Sequence, residues 1–205
     1  MKKDTSTFTQ LNNKQKLQYI WDYYKIHIIA TAAIICIIFS IVSTIIKNKS
    51  YDLYIAYINV VTSEELLTSI DKSTKLSISN YTDMLITEDP SGEDFQYAYA
   101  SSVKLMSAIS AGRLDIIVAD SYGINMANSS EYLCNINDYL AQNNPALLNS
   151  LEPYFLYDES GVAYAIDLSY SSLFNHAGFT EPLYIGIVAS EDISPEVTEY
   201  LSLIH

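Results

Sequence analysis

The chain has 205 residues, 49 % of them hydrophobic, with 24 carboxylates against 11 Lys and Arg, for a formal net charge of -13. That length sets a limit of one modest core plus one short additional segment. The charge is uneven: seven Lys against Asp4 and Asp22 make the first 50 residues +5, whereas Lys72, Lys75, Lys104 and Arg113 against 22 carboxylates make the rest -18. An acidic body of this kind repels phosphate backbones, which excludes nucleic acid as a partner; it favours cations and solubility.

The first 25 residues form a basic head ending in Tyr19, Trp21, Tyr23, Tyr24 and Lys25, an aromatic and cationic collar of the type that sits at headgroup depth. Ile26 to Ile46 follows as 21 residues in which His27 is the only ionisable side chain. At 1.5 Å per residue it makes a helix of roughly 31 Å, the hydrocarbon thickness of a bilayer. The long leader, the long apolar run and the absence of a small-x-small site before Lys47 argue for an uncleaved anchor over a signal peptide. The lipid bilayer is therefore the first expected partner. Five Lys precede the span and two follow it closely, so the head is expected in the cytoplasm and the body outside the cell membrane. The expected organisation is a head over 1–25, a transmembrane helix over 26–46, a linker over 47–50 and one acidic domain over 51–205.

In that domain Tyr51 to Val60 reads as a strand apolar on both faces. Thr62-Ser63-Glu64-Glu65 opens a helix with Leu66, Leu67 and Ile70 as its buried face, and a second strand falls within Lys75 to Ile86. Thr87 to Asp94 is a loop whose four carboxylates lack the order of a calcium loop, so no metal is assigned to it. The spacing Tyr99, Val103, Met106, Ile109, reinforced by Leu105, predicts a helix packed through those residues and ending at Gly112. Asp115 to Asp120 is a buried strand closed by the turn Ser121-Tyr122-Gly123.

Strand, helix, strand, helix, strand at this spacing predicts an α/β fold with a parallel sheet. Further on, Ile136 to Gln142 reads as a short helix. Tyr154 to Tyr157 and Gly161 to Asp167 read as two strands joined by a turn. Leu183 to Ala189 is a closing strand and the segment from Pro195 a closing helix buried through Val197, Tyr200, Leu201 and Ile204. Cys36 lies in the span and Cys134 far along the body, so they cannot pair.

The block from Val103 to Leu140, VKLMSAISAGRLDIIVADSYGINMANSSEYLCNINDYL, resembles the first-lobe pattern of extracellular solute-binding proteins of the type 2 periplasmic class. GVAYAIDLS resembles the strand by which that family crosses between lobes, and LYIGIVASEDISPEVTEYLSLI its return strand and helix. The resemblance implies a mainly parallel-sheet sandwich, a truncated type 2 periplasmic-binding fold, because only about 60 residues separate Asp120 from Leu183. It further implies a ligand beyond the carboxyl ends of the strands, with Asn59, Asp120, Ser121, Tyr122, Asp167 and Ser169 as candidates. Each of these also reads as a turn, cap or packing residue.

No Ser-His-Asp set, paired-carboxylate frame, phosphate loop or His-metal spacing is present, and His176 alone remains as a base in the body, so no catalytic residue, metal or cofactor is assigned. Fifteen of the 18 Tyr follow position 50. If they serve binding, Tyr54, Tyr57, Tyr122, Tyr164 and Tyr170 should converge on one concave surface. The reading is a non-catalytic membrane-anchored domain binding a small ligand; the alternative is an interaction or assembly subunit of a cell-envelope complex that engages a protein and no small ligand.

Overall fold

The computed structural model describes residues 13–47, 51–87, 89, 92–175, 179 and 181–205. The chain divides into two units, Met1–Ser50 and Tyr51–His205.

The first unit carries helix α1, Asn13–Lys47. Its 35 residues rise roughly 52 Å, so the helix outruns a hydrocarbon core and can continue into the interface. The stretch Tyr23–Ser40 is long and apolar enough to cross a membrane, a property that membrane anchors and signal sequences share, and its side chains are exposed. Within it the Thr31 hydroxyl donates to the His27 carbonyl at 2.8 Å, which satisfies a polar group without water.

The second unit is one six-stranded sheet with helices on both faces. In chain order it contains β1 (Leu53–Ile58), α2 (Glu64–Ser73), β2 (Ile78–Met84), α3 (Phe95–Ser110), β3 (Ile116–Ala119), α4 (Ser121–Ser129), α5 (Ile136–Asn143), α6 (Pro145–Leu151), β4 (Phe155–Tyr157), β5 (Ala163–Asp167), α7 (Ser172–Asn175), β6 (Tyr184–Ile187) and α8 (Glu196–Ile204). The spatial order is β2-β1-β3-β6-β5-β4. β1 runs parallel to β2 and β3, as the βαβαβ spacing predicts. The remaining pairings, β3 with β6, β6 with β5 and β5 with β4, are antiparallel.

The expected mainly parallel sheet is therefore a mixed one. The physical reason lies after β5: the chain turns through a 3-10 helix, Leu168–Tyr170, and the four residues of α7. Among the described residues no long crossover helix carries it back along a face, and β6 starts at the edge where β5 stopped and returns antiparallel, with Asp167 beside Tyr184. β4 and β5, which lie between β3 and β6 in the chain, join this same sheet and form no second one.

Strand alternation sorts the core into two layers. Leu53, Ile55, Tyr57, Ile116 and Val118 face α2, α5, α6 and α8, through Leu66, Ile70, Leu140, Leu151, Tyr200 and Leu201. Ala56, Ile58, Ile117 and Ala119 face the other way, onto Leu105 of α3 and Ile124 and Ala127 of α4. Each fully buried aliphatic side chain stabilises by roughly 1.5–3 kcal/mol relative to exposure, which explains why β1 and β3 have no polar face. Ser63 caps α2, its hydroxyl accepting from Leu66 N at 3.1 Å.

Two further expectations are corrected. α3 is buried through Ala98, Ser101 and Leu105, while Tyr99, Val103 and Met106 are 64 %, 45 % and 55 % exposed. Small residues let this helix lie close to the sheet, which rotates the larger apolar stripe into solvent. Ser121-Tyr122-Gly123 is the first turn of α4, because Asp120 accepts from Gly123 N at 2.7 Å and caps it.

Candidate functional site

β1, β2, β3 and β5 end at the same edge of the sheet, where Ile58 pairs with Ala119, Ala119 with Tyr184 and Tyr184 with Asp167. From β1 the chain moves outward to β2, then crosses back to β3, so the winding reverses between β1 and β3. A reversal of this kind opens a crevice at the carboxyl ends of the two strands. Asn59 and Asp120 stand at those ends.

The two are brought together, chiefly in each other's service. Asn59 adopts a left-handed backbone with φ of 59°, a conformation that Asn tolerates. Its amide nitrogen donates to both Asp120 carboxylate oxygens at 3.2 Å and to Ile86 O at 3.0 Å, while its oxygen accepts from Ile86 N at 2.8 Å. One side chain thus fastens the end of β1 to the chain leaving β2 and to the start of α4. Gly123 allows the close approach: a Cβ there would lie 3.0 Å from both Ala119 Cβ and Ile58 Cγ2. Ser121 is exposed in the first turn of α4, and Tyr122 packs at the rim of the Ile58 and Ile124 core layer.

Asp167 and Ser169 meet two strands away, roughly 10 Å along the edge by strand spacing. Asp167 Oδ1 accepts from Ser169 N at 2.7 Å and caps the 3-10 turn. Both residues line a cavity of about 300 Å³, together with Phe174, Phe179, Glu181 and Leu183. Among the described residues its ionisable side chains are the two carboxylates Asp167 and Glu181, and no Lys or Arg lines it. The Asp167 charge reaches two neighbouring phenols. Burial is the main reason the Tyr170 and Tyr184 hydroxyls are pushed above the ordinary phenol range, and the carboxylate adds to both, after Tyr154 in the case of Tyr170. Phe174, Phe179 and Glu181 were not among the sequence candidates. Their one signal is position, close after β5 and just before β6.

The expected convergence of tyrosines does not occur. Tyr57 is buried in the layer facing α8, whereas Tyr164 lies in the opposite layer with its hydroxyl on Asn125 Oδ1 at 2.9 Å. Tyr54 stacks on Tyr81, and Tyr170 lies against Tyr154 with ring centroids 4.6 Å apart. The tyrosines divide between both faces of the sheet, so they form no single concave surface. Among the described residues no three His, Cys, Asp or Glu side chains gather as a metal site. His176 lies outside the described residues, as do Glu88, Pro90 and Ser91 of the acidic loop.

The chain matches no family model, no curated protein and no solved structure. Its function must therefore be argued from the chemistry of its own residues. Carboxylates with aromatic side chains, in a cavity whose described lining carries no Lys or Arg, suit a positively charged group carried on an apolar body.

Proposed function

We propose that this chain is a membrane-anchored, non-catalytic binding domain that takes a small organic cation, such as an alkylammonium or guanidinium compound, in the cavity beyond β5. The observation that carries the reading is the cavity itself: Asp167 and Glu181 supply negative charge, Phe174 and Phe179 supply apolar and aromatic surface, and all lie at the strand-end edge. The acidic body adds long-range attraction for cations. In this reading α1 is an uncleaved anchor in the cell membrane with its basic end in the cytoplasm, and the body is a reduced solute-binding domain of the type 2 periplasmic kind, limited to a single sheet.

Thermal-shift measurements on the full chain in lipid nanodiscs test the proposal, with spermidine, arginine, neutral amino acids, sugars and short peptides as probes. The cationic probes should raise the melting temperature, and Glu181→Gln should remove most of the shift. No shift with any class, or an undiminished shift in Glu181→Gln, contradicts the reading.

One observation favours a protein partner instead. Phe95, Tyr99, Val103 and Met106 form an exposed apolar stripe along α3, more contiguous than scattered surface apolar residues require. On that reading the domain is an assembly subunit, and substitutions along the stripe would abolish co-purification of an envelope partner while leaving cation binding untouched.

A further inference from the structure

β2 is an edge strand, so alternate N–H and C=O groups along it face outward with no strand beside them. Helix α3 packs on one face of the strand and is hydrogen-bonded to it at the carboxyl end. There the Tyr97 hydroxyl donates to Asp83 O and the Ser101 hydroxyl accepts from Leu85 N at 3.2 Å. Asp83 has a φ of 57° and breaks the register between Ala56 and Ile58, a bulge that stops regular pairing at this point. Ile78 to Thr82 remains as the open edge, about 17 Å long at the rise of a strand.

Beside that edge lies a groove of about 400 Å³ lined by Asn80, Thr82, Asp83, Tyr97, Ser101 and Lys104. Asn80 Oδ1 is buried without a hydrogen-bond donor; Asn80 pairs with Ile55, so its side chain lies on the Ile55 face of β2, opposite the Tyr81 face on which α3 packs. The Lys104 ammonium lies 5.4 Å from the centre of the Tyr81 ring, and among the described residues no carboxylate pairs with it. The charge of Arg113 also reaches Tyr81. Two of the four cations in the whole acidic body thus act on Tyr81 of this one edge strand.

We propose that the groove between β2 and α3 receives an extended segment of a partner protein as an added strand, with an acidic side chain of that segment on Lys104. The backbone of the segment would pair with Ile78 to Thr82, a side chain of the segment on the Ile55 face would donate to Asn80 Oδ1, and Lys104 on the α3 face would select the acid. A second copy of this chain is the weaker occupant, because it brings a further -18 to an already acidic surface. The site is separate from the cavity beyond β5, and its test does not depend on cation binding.

The test pans the full chain in nanodiscs against a random heptapeptide library, then measures recovered peptides by fluorescence polarisation. Recovered peptides should share one acidic position, and Lys104→Glu should weaken them at least tenfold, with a peptide carrying Lys at that position regaining affinity. Methylating alternate peptide amides should abolish binding in one register and spare it in the other, a readout that leaves the protein unaltered. Failure to enrich any peptide, binding indifferent to Lys104→Glu or to N-methylation, or a stable dimer whose interface occludes β2 would each overturn the proposal.

Discussion

Replacing Leu105 by Ala removes the side chain by which α3 is most deeply seated against Ile58 and Ile117. Leu105 is 1 % exposed, and a buried Leu→Ala change costs about 2–5 kcal/mol, the transfer loss plus the cavity left behind. Val103, two residues away and 45 % exposed, should behave oppositely. Its truncation loses only part of two methyl contacts at about 0.8 kcal/mol each, and Ala regains up to about 0.6 kcal/mol of helix propensity, so the net change stays within about 0.5 kcal/mol. With a urea slope of about 2 kcal/mol/M, a loss of about 3 kcal/mol moves the midpoint down by about 1.5 M, whereas Val103→Ala leaves it nearly in place. The assay is urea unfolding followed by near-UV circular dichroism of the tyrosines, since Trp21, the sole Trp, belongs to the head. A larger loss from Val103→Ala than from Leu105→Ala would mean that the Tyr99, Val103 and Met106 stripe is the packed face, and the orientation of α3 would be refuted.

Gly123→Ala sets helix propensity, a gain of about 1 kcal/mol, against a Cβ 3.0 Å from Ala119 and Ile58; because both neighbours sit on strands, overpacking wins and calorimetry should show a net loss of about 1–2 kcal/mol. An increase in melting temperature would show that the switch point has slack. Burial raises the Asp115 carboxyl above its ordinary range, and Glu196 adds to this while the Tyr54 N–H, at 2.8 Å, works against it. A raised acid stabilises the fold fully below the ordinary carboxylate range and loses that contribution as pH rises through the raised value. Asp115→Asn, which keeps an acceptor for Tyr54, should therefore melt higher than the parent at pH 7 and show little gain near pH 3; a lower melting temperature at pH 7 would reverse the sign. Burial pushes the Cys134 thiol up to about 12, so it should resist maleimides at pH 7.5 in intact cells, whereas Ala141→Cys, on the exposed face of α5, should label from outside. Labelling of Ala141→Cys only after lysis would invert the topology.

The elements legible in the sequence are those where one physical signal dominates. The long apolar N-terminal helix is set by length and hydropathy, the buried strands β1 and β3 by continuous β-branched and apolar runs, and α2 by Ser63 ahead of two Glu. Misreadings arose where two signals share one period or where the deciding contact is distant. On α3 the large stripe through Tyr99 and the small one through Ala98 and Ser101 both repeat every 3.6 residues. Only the closeness of the sheet selects the small one. Ser121-Tyr122-Gly123 carries turn chemistry, yet Asp120 converts it into a helix start. The direction of β6 is written in no strand residue; it follows from how the chain turns after Asp167.

The candidate site was legible in part. Asn59, Asp120, Asp167 and Ser169 do stand at the carboxyl edge. Sequence spacing gave no sign that Asn59 and Asp120 would clasp each other, or that Phe174, Phe179 and Glu181 would close a cavity around Asp167. That cavity depends on β6 returning beside β5, a topological fact absent from local pattern.

Isothermal titration of spermidine into the full chain in nanodiscs, comparing the parent with an Asp167→Asn, Glu181→Gln double variant, tests the central claim most directly. Asn retains an acceptor for Ser169 N, so the fold is kept while both charges are removed. Saturable heat from the parent and its loss in the double variant is the predicted result; equal heats from the two, or none from the parent with spermidine or arginine, would contradict the assignment of the cavity as a cation site.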